Sequence, residues 1–268
     1  MASWVHEVFI EKAELFGAVM EAFWERGRKE AEGIARVFEK HGISKGSRVL
    51  ELGCGIGRVA IHLARLGYGV VCLDISEPYI AKARERASRE GVGGFEAVVG
   101  DAYRVDEVLA GRAFDAVYMV WSTLLGYGSR EDDLVLFERA ARVTRPGGLL
   151  VVANTVSRDL VVQRELCKCP RPVLSEYGDL VVIEHSEFDS AKSLIKSKWV
   201  FYRRHGKNLV YVDEIRFTLR AYTLTELVEL AEGAGWKFEA AYHSLETLEP
   251  PRPEGSPINA VFRKPLGS

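Results

Sequence analysis

Amide side chains are almost missing from this chain: its 268 residues include one glutamine (Gln163) and three asparagines (Asn154, Asn208, Asn259). Arginine, by contrast, outnumbers lysine 24 to 12. Few deamidation-prone groups beside many ion-pairing ones is the composition of a thermophile's protein. Cysteine is scarce too. Cys54, Cys72, Cys167 and Cys169 are too few and too irregular for a disulfide framework. Cys167-Lys168-Cys169 lacks a second pair at ligand spacing, so no metal site is expected. Apolar runs such as 116–121 and 149–153 fall far short of the roughly 18 residues of a membrane span. The first 14 residues carry Glu7, Glu11 and Glu14 and no basic stretch leading into an apolar one, unlike a secretory leader. A cytoplasmic protein is expected. A net charge of −2 provides no overall field for drawing in nucleic acid or an anionic membrane. With 47% hydrophobic and 28% charged residues, the chain is composed to fold.

What is present is an alternation. Residues 5–40 carry an apolar stripe at helical spacing, with Gly27 and Gly33 as expected breaks between two or three helices. Short apolar runs at 48–52, 69–73, 95–99, 114–120 and 148–153 read as strands. Helical stretches at 58–66, 76–91 and 131–143 separate them, with Ser76 as the expected cap of the second. Strands spaced by helices of about a dozen residues require right-handed crossovers and a parallel sheet covered on both faces. The rhythm changes after Asn154. Residues 179–222 read as several strands with a hairpin turn at 205–208, before a helix at 223–232 and two last strands near 236–242 and 258–262. The expected architecture is α/β, with N-terminal helices (1–45) packed on a doubly wound core (46–268). The core is interrupted by a β-rich insertion (157–222).

The first strand runs into Gly53-Cys54-Gly55-Ile56-Gly57 and then a helix. Such a turn presents backbone N–H groups and a helix N-terminus to a ligand. Asp74 ends the second strand, 21 residues after Gly53, where a carboxylate reaches both hydroxyls of a ribose. Asp101 follows the third strand. All three features lie at carboxyl ends of strands, where open α/β sheets bind ligands. A dinucleotide reader wants a small residue where Arg58 stands.

Val49-Leu50-Glu51-Leu52-Gly53-Cys54-Gly55-Ile56-Gly57-Arg58 closely resembles the first motif of class I S-adenosylmethionine-dependent methyltransferases. Val71-Cys72-Leu73-Asp74-Ile75-Ser76, Gly100-Asp101-Ala102, Phe114-Asp115-Ala116-Val117 and Arg145-Pro146-Gly147-Gly148 resemble that family's next four, in order. The resemblance implies a seven-stranded, mostly parallel Rossmann-like sheet and S-adenosyl-L-methionine as cofactor. It implies that Gly53, Gly55 and Gly57, with Cys54 and Arg58 in the same turn, contact the methionine portion and ribose. Asp74 would hold the ribose hydroxyls and Ile75 the adenine face. Asp101 and Ala102 would meet the adenine edge under Tyr103, and Val120 and Trp121 would lie near the methyl group. Glu51 would act as an acceptor behind them.

Methyl transfer by in-line displacement asks the protein for alignment and exclusion of water, so no catalytic base is assigned. A small-molecule acceptor is expected, with Trp121, Tyr127, Ser122 and Thr123 as its walls and contacts. Trp24 and Arg28 are candidates from the N-terminal helices. Arg216 and Arg220 share one strand face. They serve either a substrate carboxylate or a solvated face paired with Asp213 or Glu214. His185 and His243 are the histidines most easily imagined as a base, and neither sits in a recognisable arrangement. The alternative is an RNA or protein methyltransferase. It would use the patch of Lys196, Lys198, Arg203, Arg204, His205 and Lys207 interleaved with Trp199, Phe201 and Tyr202; such charges also protect exposed strand edges. The insertion reads as a lid or a dimerisation element, and the protein as a monomer or homodimer. The composition makes one prediction: a thermal scan should give a midpoint above about 60 °C, beyond the ordinary mesophile range.

Overall fold

The apolar runs pair into one sheet because each is short, β-branched and followed by a helix that returns the chain to the same edge. In the computed structural model, residues 3–121, 124–168, 172–252 and 255–267 are described. The chain begins with α1 (Ser3–His6), a π-helical turn (Glu7–Glu11), α2 (Ala13–Ala22) and α3 (Trp24–Lys40). The alternating part follows as β1 (Arg48–Leu52), α4 (Ala60–Arg65), β2 (Gly69–Asp74), α5 (Glu77–Arg89) and β3 (Phe95–Val99). A 3-10 turn (Ala102–Arg104), α6 (Val105–Val108), β4 (Phe114–Val120), α7 (Arg130–Arg142) and β5 (Thr144–Thr155) complete it. Beyond lie α8 (Arg158–Leu166), β6 (Val173–Tyr177), β7 (Leu180–Asp189), β8 (Leu194–His205) and β9 (Asn208–Arg220). The last elements are α9 (Leu224–Gly233), β10 (Lys237–Ala241) and β11 (Ile258–Arg263).

The main sheet has seven strands in the order β10-β11-β5-β4-β1-β2-β3. Pairing is parallel from β5 through β3, while β11 runs antiparallel to both β5 and β10. The central strands are buried on both faces, which is why they read as continuous apolar runs. One face packs against Ile34, Val37 and Phe38 of α3; the other packs against Leu136 and Phe137 of α7 and Leu227 and Leu230 of α9. The order changes direction between β1 and β4, so β1, β2 and β4 end around a crevice.

Two expectations about local structure need correction. Gly27 and Gly33 do not break the helix: α3 passes through both, and the breaks fall at Lys12 and Phe23. These glycines permit close approach instead. A β-carbon on Gly27 would lie 2.4 Å from the backbone oxygen of Arg58, and one on Gly33 would lie 2.7 Å from the Leu245 β-carbon. Ser76 does precede α5, but its side chain makes no capping bond.

The insertion folds as a second, antiparallel sheet in the order β6-β7-β8-β9, with His205 facing Asn208 across the expected hairpin. Period-two alternation divides the basic and aromatic residues of β8. Phe201 and Trp199 turn towards Val8 and Val19 of the N-terminal segment, whereas Lys196 and Lys198 take the opposite face. Arg203 pairs with Asp179, and Arg204 with Glu176. A further tie crosses from Lys12, whose ammonium donates to the Asp213 carboxylate at 3.1 Å and to the Glu214 carbonyl at 2.7 Å. The small sheet and the N-terminal helices therefore form one roof over the crevice.

The seat of α3 yields a prediction with an inverted sign. Glycine to alanine inside a helix ordinarily stabilises by about 0.5–1 kcal/mol. Gly27→Ala should instead destabilise by about 1–3 kcal/mol through overpacking against Arg58. Urea unfolding, with exposed Lys29→Ala as control, measures the difference.

Candidate active site

The glycine turn leaves β1 through three residues in the left-handed region, Gly53 (φ 67°), Gly55 (φ 54°) and Gly57 (φ 76°). A side chain would be strained at each. The Leu73 carbonyl accepts from the N–H groups of Gly53 and Cys54, at 2.8 and 3.1 Å. Asp74 then buttresses the turn from the next strand. One of its oxygens accepts from the Gly55 N–H at 2.8 Å, the other from the Ser76 N–H at 2.9 Å. Burial pushes this carboxyl up to about 6, and the backbone donors hold it from going higher.

Over the turn lies a cavity of about 400 Å³. Gly53, Cys54, Gly55 and Arg58 line it from the turn, and Glu51, Asp74 and Ile75 from the strand ends. Asp101, Ala102 and Tyr103 come from the 3-10 turn and its cap, Val120 and Trp121 from the end of β4, and Tyr127 from the loop beyond. Asp101 accepts from the Tyr103 N–H at 2.9 Å, and the Tyr103 hydroxyl donates to the Leu124 carbonyl at 3.0 Å. Trp121 (φ 64°) and Leu124 (φ 70°) sit in the left-handed region, an unfavourable conformation for side chains of this size.

Other expected site residues lie elsewhere. Gly57 packs against Ala83 and Ile61 beneath the turn and does not line the cavity. Trp24 packs on His62 beneath the Arg86 guanidinium, and Arg28 is spent on exposed Glu32. Arg216 pairs with Glu214, the alternative left open by the sequence, and lines only a shallow depression that His185 also borders. Arg220 lies outside the cavity, its backbone bonded to Gly126. His243 is outside as well. Ser122, Thr123 and Cys169 fall outside the described residues. Among the described residues, no histidine lines the cavity, and no cluster of three or more histidine, cysteine or carboxylate side chains could hold a metal. No described helix is long and apolar enough to cross a membrane.

Two features escape sequence reasoning. The roof of the cavity is built by Trp4, Phe9, Phe16 and Met20 from the N-terminal segment and by Trp199 and Phe217 from the insertion. Their aromatic density was the available signal, but it reads equally as core. The second is Glu30, on α3 and 6% exposed. Its carboxylate accepts from Arg58 at 2.5 Å, Arg26 at 3.0 Å and the Trp121 indole N–H at 2.8 Å. Arg58 in turn lies 4.1 Å from the centroid of the Trp121 ring.

The stretch that builds this floor matches a known family, described as a methyltransferase domain, over residues 49–148. A relative, the methyltransferase GfsG of Streptomyces halstedii, is 33% identical over 127 residues, covering 46% of this chain and 43% of that protein. The ubiquinone biosynthesis O-methyltransferase of Sinorhizobium fredii is 35% identical over 117 residues, covering 43% and 44%. The matched stretch thus spans under half the length of these curated relatives. The fold likeness extends further. A solved S-adenosylmethionine-dependent methyltransferase from Clostridium acetobutylicum superposes with a TM-score of 0.74 at 13% identity, covering 88% of this chain and 91% of that one.

The floor of the cavity fits an adenosyl sulfonium ligand in two respects. Its glycine turn brings the backbone of Gly53 and Gly55 to the lining, with Met20 lying over Gly55, and its lining carries Glu51, Asp74 and Asp101, oxygen acceptors suited to hydroxyl, amine and positively charged groups. Gly53 and Gly55 would hold the amino-acid end, Asp74 the ribose, and Ile75, Asp101 and Ala102 the base.

The buried acids set a pH dependence. Burial lifts Glu51 to about 8, against the pull of the Tyr118 hydroxyl it accepts from and of Arg58. Asp133, enclosed beneath Gly126 and Tyr222, is lifted by burial to about 6, like Asp74. An acid that keeps its proton longer folded than unfolded opposes folding once pH rises past its unfolded value, and fully so above its folded one. Asp74 and Asp133 therefore act between about 4 and 6, and Glu51 between about 4.5 and 8. Stability should fall as pH rises from about 6 to about 8, where Glu51 alone of these still acts, and Glu51→Gln should flatten that fall, as read by urea midpoints.

Proposed function

We propose that the protein is an enzyme, an S-adenosylmethionine-dependent methyltransferase acting on a small molecule. The observation that carries this reading is the junction of the glycine turn, Asp74 and Asp101 in one cavity at the strand ends. A cavity of about 400 Å³ lies within the range of small-molecule sites. The family match of residues 49–148 and the small-molecule chemistry named for the relatives support it.

The bound donor would supply a methyl carbon activated by a positively charged sulfur. The protein's contribution is placement. Asp74 fixes the turn through Gly55 and presents its remaining acceptor capacity to the ribose. Glu30 holds the Trp121 ring and Arg58 beside the strand ends, so the floor keeps its shape when the roof closes. The aromatic roof excludes water from the reacting atoms. With no histidine among the described lining residues, an acceptor nucleophile is aligned rather than deprotonated by an imidazole. The insertion acts in this reading as a lid, supported by Trp199, Phe217 and Leu219 in the lining. A cytoplasmic setting and a heat-adapted source, suggested by the composition, belong to the same proposal. The RNA reading has less support, since Arg203 and Arg204 are ion-paired and the neighbouring Trp199 and Phe201 face inward.

Titration calorimetry with S-adenosylhomocysteine tests the proposal. Binding is expected, and Asp74→Ala should weaken it by about 1–3 kcal/mol, the scale of hydrogen bonds to a charged group. Absence of binding at millimolar ligand would end the donor assignment.

A further inference from the structure

The outer half of the cavity differs in chemistry from its floor. Trp4 meets Tyr127 edge-on at 4.7 Å, and Phe9 stacks on the same tyrosine at 5.9 Å. Phe16 stacks on Trp199 at 5.6 Å, and Trp199 meets Phe217 edge-on at 5.4 Å. Trp4 closes the arc against Phe217 at 5.9 Å. All six rings line the cavity, so they form a continuous aromatic wall around space rather than a filled core. Such walls favour flat or ring-shaped apolar groups, which meet ring faces and edges in offset or edge-on contacts.

Charge narrows the class. Among the described lining residues, Arg58 is the cation, and Glu30 and the Trp121 ring occupy it. The ionisable acids of the lining are carboxyls: Glu51, Asp74, Asp101 and Asp132. An anionic acceptor entering this space would lose its water and gain no counter-charge. A polyhydroxylated one would find few hydrogen-bonding groups along the arc.

We propose that the acceptor of this site is a planar, ring-bearing, apolar molecule without a negative charge. The proposal rests on the methyl-transfer reading for the word acceptor, while the aromatic chamber stands on its own geometry.

Two dyes sharing one ring skeleton test it: neutral phenylnaphthylamine and its sulfonated counterpart, anilinonaphthalene sulfonate. The neutral dye should bind saturably with enhanced fluorescence. The sulfonated dye should bind about tenfold or more weakly, because its charge is stripped of water without a partner. Trp199→Ala and Phe217→Ala should each weaken phenylnaphthylamine by about tenfold, through lost ring contact. Both should weaken S-adenosylhomocysteine binding by clearly less than they weaken the dye, since both residues belong to the roof and not to the floor. Making two variants keeps a readout if one fails to fold, as judged by its melting curve. Equal affinity for the two dyes, no saturable binding, or unchanged affinity in both folded variants would overturn the inference. Dye binding retained without any S-adenosylhomocysteine binding would overturn the methyl-transfer reading and leave the chamber's selectivity standing.

Discussion

A buried negative charge has to be answered on the spot, and in this protein the answer ties the molecule together. Glu30 lies almost wholly out of water, so its carboxylate persists only with charged and polar partners around it. Those partners come from different elements: Arg26 from its own helix, Arg58 from the end of the glycine turn, and the Trp121 indole from the end of β4. Removing one side of such a network leaves the other uncompensated. Hence α3 cannot slide along the sheet without breaking it. Gly27, one turn before Glu30, makes the contact close by letting the helix backbone rest on Arg58. Floor and roof are held in register at this point.

Much of the floor was legible because its signals are local. A strand buried on both faces has to be an unbroken apolar run, and 49–52, 70–73 and 114–120 could hardly be anything else. The glycines and acids at the strand ends fall at intervals set by the crossovers, and Asp74 meets Gly55 although 19 residues separate them. The roof was not legible, since nothing in a single helix says what faces it. Phe9, Phe16 and Trp199 read as core stripes; only the tertiary arrangement leaves a space between them. Gly27 and Gly33 show the same limit, for a glycine that ends a helix and one that admits a neighbour look identical in one dimension. Neither Arg28, the candidate from the sequence, nor Arg26 two positions before it lines the cavity. On a helix that distance moves a side chain to another face, so Arg26 reaches Glu30 and Arg28 reaches exposed Glu32.

The site is thus two surfaces of opposite character brought edge to edge. Below are strand ends, backbone donors and carboxyls, arranged by the sheet and rigid with it. Above are rings from two separate segments, joined to each other by Lys12 and the stacking of Phe16 on Trp199. Backbone strain concentrates along the seam, where Trp121 and Leu124 adopt the left-handed conformation. Strain of this kind persists only where surrounding contacts overdetermine it, and Glu30 supplies one of those contacts.

The link between Lys12 and Asp213 spans 201 positions of the chain. Joining parts so far apart costs more chain entropy than forming the neighbouring strand pairs of the floor. During folding the floor can therefore assemble from near neighbours, whereas the chamber closes only when both distant arms have arrived. A molecule caught between those stages would already possess its glycine turn and strand-end acids, with the space above them still lacking its aromatic wall.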